Sequence, residues 1–100
     1  MPIYQTAKFR VKPDAVPVCI AVIEDFITYI RENEPGTLKY ESFQSRDDPT
    51  EFINVFIFVD ENIRDLHANS EGVKKFTAIL YPNLIAPIKF TTHHLVATTQ

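Results

Sequence analysis

Phe52 to Val59 alternates with period two and is apolar on both sides. Phe52, Phe56 and Phe58 share one face with Asn54, while Ile53, Val55, Ile57 and Val59 share the other. Both faces of this strand need cover. Ile3 to Val11 sets Ile3, Ala7, Phe9 and Val11, together with Gln5, against Tyr4, Thr6, Lys8 and Arg10, which predicts a strand with one apolar face. Val16, Cys19, Ile20, Ile23, Phe26, Ile27 and Ile30 recur at three- and four-residue steps, so a long helix follows, with Asp14 as its N-cap and Pro17 in its first turn. Glu34-Pro35-Gly36 stops it, since the residue before proline leaves the helical region and glycine accepts a left-handed turn.

Thr37 to Ser45 reads as a second strand, with Leu38 and Tyr40 on one face and Phe43 on the other. The turn cluster Arg46 to Thr50 makes it a hairpin with Glu51 to Val59. Asp60 caps a short helix, Glu61 to Ala68, with Ile63, Leu66 and His67 inward. Ser70 caps another, Glu71 to Leu80, with Val73, Phe76, Thr77 and Leu80 inward. A last strand runs from Ile88 to Ala97. The order is βαββαβ with a divided second helix: an α+β, ferredoxin-like fold with helices on one face of a four-stranded antiparallel sheet. The face without helices keeps half of the central strand's apolar residues, which predicts a homodimer packed sheet to sheet as a dimeric α/β barrel. Which face of 51–59 meets the partner is left open by the pattern.

Composition narrows the function. One hundred residues, 45% hydrophobic and 23% charged, make a single domain over 1–100 with a core of its own. A net charge of -3 with scattered Lys and Arg gives no footprint for nucleic acid. With neither a signal-like core nor a long apolar run, the expectation is a cytoplasmic protein without membrane contact. The one cysteine, Cys19, lies on the helix stripe and reads as core. His93 and His94 point to opposite sides of a strand, the acidic pairs lack a calcium-loop glycine, and Gly36 and Gly72 are too far apart for a phosphate loop, so neither metal nor nucleotide cofactor is expected.

The stretches EPGTLKYESFQSRDDPTEF, FVDENIRDLHANSEGVKKF and LYP, followed by a final strand, resemble the antibiotic biosynthesis monooxygenase domain family, which includes small quinol monooxygenases. The likeness runs from the first strand to Val96. It implies a ferredoxin-like dimer with a pocket between sheet and helices in each subunit. Activities in that family include cofactor-free oxygenation of quinols and anthrone-like aromatics, haem degradation and isomerisation of small metabolites. This chain differs in having no tryptophan and in carrying Phe56 where many quinol-monooxygenase-like members have glutamate.

Cofactor-free oxygenation asks for a base, a donor for the substrate anion and an apolar wall that excludes water. His67 is the candidate base, with a helix-end histidine satisfied by a carbonyl or a tyrosine as the plain alternative. Asn54 is the candidate donor, against an asparagine that serves a sheet edge or the dimer. Tyr40, Phe43, Phe56, Phe76 and Tyr81 are candidates for the pocket wall, which an ordinary core explains equally well. The expectation is a monooxygenase that acts without cofactor on a quinol or related small aromatic compound. The alternatives are a non-catalytic protein sheltering such a molecule, favoured by the missing tryptophan and by Phe56, and a haem-binding or haem-degrading protein.

Overall fold

Hydrophobic alternation sets the sheet, and helical periodicity sets what covers it. The computed structural model describes residues 1–100. Its strands are β1 (Ile3–Arg10), β2 (Thr37–Gln44), β3 (Glu51–Phe58) and β4 (Lys89–His93), and its helices α1 (Val16–Asn33), α2 (Glu61–Ala68) and α3 (Glu71–Leu80). The sheet order is β2-β3-β1-β4 with every neighbour antiparallel. This is the ferredoxin-like α+β fold.

Strand register decides which residues face the helices. Ala7 lies opposite Asn54, Phe9 opposite Phe52, and across the other edge of β3 Tyr40 meets Phe56 and Ser42 meets Asn54. Phe52, Asn54, Phe56 and Phe58 are all buried under the helices. Ile53, Val55 and Ile57 occupy the opposite face and stay partly exposed. Phe43 pairs with Ile53 on that open face and is 50% exposed. α1 lays Cys19, Ile23, Phe26 and Ile30 on the covered face, as its stripe predicts, with Val22 beside them. Phe26 stacks on Phe76 of α3 with ring centroids 4.4 Å apart.

Four local expectations are corrected. Asp14 does not cap α1: it sits inside a 3-10 turn, Pro13–Ala15, and the helix begins behind Ala15 without a side-chain cap. Gly36 has no positive φ. Its smallness matters for another reason: a Cβ there would lie 2.7 Å from the Ile63 side chain, so glycine lets α2 approach the turn after α1. Leu66 is 68% exposed, because α2 turns Ile63, Arg64 and His67 toward the molecule and leaves Leu66 on its outer side. The last strand pairs only from Lys89 to His93, opposite Lys8 to Tyr4 of β1, so Ile88 and 94–97 lie outside it. No helix is long and apolar enough to cross a membrane.

The short α2 depends on its cap. The Asp60 carboxylate accepts from the Ile63 N–H at 3.0 Å, and Ser70 does the same for Val73 of α3 at 3.1 Å. With no fully buried residue to hold it, α2 relies on such local bonds. Asp60→Ala is therefore expected to lower stability by about 1 kcal/mol in urea unfolding, with hydrogen exchange rising first in 61–68; unchanged exchange there would contradict this role.

Candidate functional site

Between α2, α3 and the covered sheet face lies a cavity of about 350 Å³. Most of its lining is hydrophobic, and the polar part comprises Gln5, Asn54, Arg64, His67 and Thr77. That size and character suit a small-molecule pocket. Phe56 and Tyr40 stack at 4.9 Å as part of the sheet-side wall, Phe76 and Leu80 come from α3, and Tyr81 and Phe90 stand half-exposed where the cavity opens.

His67 is placed by a carboxylate 33 positions away in sequence. Its Nδ1 lies 2.7 Å from Glu34 Oε1, and each side chain is only 11% exposed. A carboxylate oxygen only accepts, so against an ionised Glu34 it is Nδ1 that donates, and the neutral imidazole then keeps its lone pair on Nε2. His67 lines the cavity and Glu34 does not; the carboxylate stands behind the ring. Thr37 donates its hydroxyl to the same Glu34 oxygen at 2.8 Å, while Oε2 is buried without a partner. Phe58 and Phe26 flank the imidazole at 5.0 and 5.5 Å, which leaves it little freedom to turn.

Local chain geometry builds this pair. The Glu34 N–H ends α1 on the Ile30 carbonyl, the Thr37 N–H bonds the Glu34 carbonyl, and the Val59 N–H bonds the Gly36 carbonyl. The turn from Glu34 to Thr37 is thereby fixed against the end of β3, where α2 begins. Glu34 also continues the α1 stripe, four residues after the buried Ile30. Extending the helical period by one step would have found it, but the following Pro-Gly reads only as a helix stop.

A second polar chain crosses the sheet. Ser42 donates to Asn54 Oδ1 at 2.6 Å, and Asn54 Nδ2 donates to the Tyr40 hydroxyl at 3.1 Å. The amide is 1% exposed, and its bonds run to two side chains of the neighbouring strand β2, of which Tyr40 lines the cavity, rather than to backbone. Burial pushes the Tyr40 hydroxyl well above its ordinary value of 10.0, the Asn54 bond partly opposes this, and the nearby Glu34 charge adds to it. Tyr40 is therefore a protonated donor, and its oxygen already accepts from Asn54.

Of the residues singled out in the sequence, His67, Asn54, Tyr40, Phe56, Phe76 and Tyr81 line this one cavity. Phe43 does not, because the pleat puts it on the open face with Ile53. Glu34 stands out in the sequence only as part of the Glu34-Pro35-Gly36 landmark, and Arg64 does not stand out at all. No three His, Cys, Asp or Glu side chains converge as a metal site.

Comparison with known proteins agrees with the architecture. The family model described as antibiotic biosynthesis monooxygenase matches residues 2–78. A solved structure described as an antibiotic biosynthesis monooxygenase superposes with TM-score 0.88 at 19% identity, over 95% of this chain and 99% of the other. A Mycobacterium tuberculosis protein gives TM-score 0.88 at 23% identity over 100% of both chains. A Shewanella oneidensis protein gives 0.83 at 28% identity over 94% of this chain and 90% of its own. No curated protein matches the chain.

The buried Tyr40 hydroxyl leads to a pH effect of definite sign. In the unfolded chain it ionises near 10.0, so above that pH the unfolded state binds fewer protons than the folded one and stability falls as pH rises. Tyr40→Phe should lose stability less steeply than the wild type on the alkaline side of 10.0 in urea unfolding; equal slopes would contradict a hydroxyl held neutral by burial.

Proposed function

The chain belongs to the antibiotic biosynthesis monooxygenase family, and on that premise we propose that it is a cofactor-independent monooxygenase oxidising a quinol or related small phenolic compound. The observation that carries this reading is the imidazole facing an aromatic cavity with its far nitrogen held by a buried carboxylate. His67 Nε2 takes the proton of a bound phenolic hydroxyl, and Glu34, a positioning residue, steadies the imidazole as it gains charge. Tyr40 donates to the phenolate that forms, held in direction by Asn54. The electron-rich anion passes an electron to dioxygen, and the two radicals join at a ring carbon. One oxygen atom ends in the quinone product and the other in water, with the substrate supplying the electrons. The apolar wall keeps bulk water from the anion.

We further propose that the working unit is a homodimer. The uncovered sheet face carries Ile53, Val55, Ile57 and Phe43 between Lys8, Lys39 and Lys89, an apolar stripe with a charged rim that suits a second copy of the same face.

Oxygen consumption with a panel of reduced quinones tests the chemistry. The wild type should turn over at least one of them, and His67→Ala should reduce the rate by on the order of 100-fold or more. No uptake above buffer across the panel would refute the enzyme reading; an aromatic ligand retained unchanged in air would point instead to a protein that shelters it. Light scattering tests the dimer. The wild type should run at twice the 11.5 kDa chain mass, and Ile57→Asp should shift it toward monomer, since a carboxylate buried in that interface costs about 3 kcal/mol.

A further inference from the structure

Arg64 is the one guanidinium in the cavity lining, and no carboxylate faces it across that lining. Its contacts to an acid are two 3.4 Å approaches from Nε and Nη2 to Asp65, the next residue along the chain, itself 67% exposed. These are long for charge-assisted bonds, which close to about 2.8 Å. The Arg64 side chain is 35% exposed, so much of it is withdrawn from water without a firm partner. Other arginines have other company: Arg10, for example, holds Glu51 at 2.6 Å and Asp48 at 3.1 Å outside the cavity.

Position along α2 adds a constraint. Arg64 and His67 are three residues apart, neighbours on one helix face with Cβ atoms on the order of 5–6 Å apart. Both side chains line the cavity. A molecule whose hydroxyl meets His67 would therefore present its far substituent to Arg64. The other polar lining groups, Gln5, Asn54 and Thr77, are neutral, so an anion on the ligand meets no opposing charge from the wall.

We propose that Arg64 is a specificity residue that selects a phenolic substrate bearing a carboxylate, bound by the planar guanidinium in the cavity wall while the ring enters between Tyr40, Phe56 and Phe76. The inference rests on the phenol-oxidising reading for the hydroxyl's place at His67. The anion subsite itself is a matter of binding alone.

The test is anaerobic calorimetric titration of the intact protein with hydroquinone and with its carboxylated counterpart 2,5-dihydroxybenzoate. The wild type should bind the carboxylated ring roughly tenfold tighter, the gain expected from a charge-assisted bond in a half-buried site. That ratio should fall to near one in Arg64→Gln, and Arg64→Lys, which keeps the charge without the fork, should retain part of it. Rising salt should narrow the preference in the wild type and leave Arg64→Gln unaffected. A wild type that binds the two rings equally, or neither, overturns the proposal, as does an undiminished preference in Arg64→Gln. Oxygen is absent throughout, so a protein that shelters its ligand without oxidising it would still show the preference. Failure of the oxidation reading and failure of the anion subsite are thus read separately.

Discussion

The bond between Glu34 and His67 is the constraint on which the site depends. It joins the C-terminal end of α1 to the last turn of α2, two places that no strand pairing connects. α2 is eight residues long and buries none of them completely, so its own packing does not determine where it sits. Its position comes from three fixed points: the Asp60 cap at its start, Ile63 against the bare face of Gly36, and His67 on Glu34. The cost is a carboxylate taken out of water with one oxygen unpartnered. Such a pair is weak evidence of stabilisation. An arrangement that costs desolvation and leaves an imidazole nitrogen facing a cavity is better explained by what that nitrogen does.

The fold was legible because its strongest signals are periodic. Two-residue alternation in 52–59 separated a phenylalanine face from an isoleucine and valine face, and the helices cover the former. What the pattern did not contain was the choice between them. That follows from geometry: α1 and α3 supply aromatic rings, Phe26 and Phe76, which stack with each other above the ring-bearing face. Where periodicity gave way to single residues, expectation was weaker. Phe43 had been placed by parity on the opposite side from Tyr40, and its aromatic character alone had suggested the pocket; parity was the better guide. Leu66 shows the converse, an apolar residue on a helix too short for its stripe to be read.

The site was legible in its near half only. His67 and Asn54 stood out as polar residues on apolar faces, which is a signal sequence can carry. Their partners did not stand out. Glu34 looks like one more acid at a helix end, and Ser42 like a polar residue in a mixed strand. Both become specific only when the turn at Gly36 and the hairpin register bring them into contact. A residue's departure from local pattern is visible along the chain, whereas the group that compensates for it is long-range and depends on the fold.

The direction of the hydrogen bonds decides what the cavity is complementary to. Ser42 gives its proton to Asn54, and Asn54 gives one to Tyr40, so the Tyr40 oxygen is occupied as an acceptor and its own proton is left to be given. Glu34 accepts from His67 Nδ1, so Nε2 is left to accept. The Tyr40 donor and the His67 acceptor are thus each set by a protein partner, Asn54 and Glu34, rather than by water. On the proposed reading, a neutral phenolic hydroxyl satisfies that pair by donating to Nε2 and accepting from Tyr40. Once its proton has gone to His67, the resulting oxyanion faces a tyrosine that cannot easily ionise and an imidazolium whose charge Glu34 answers. Groups fixed before the ligand arrives stabilise the charged state more than the neutral one, since they need no rearrangement when charge develops. On the proposed reading, both polar networks therefore favour removal of a phenolic proton, the step that makes an aromatic ring electron-rich enough to reduce oxygen.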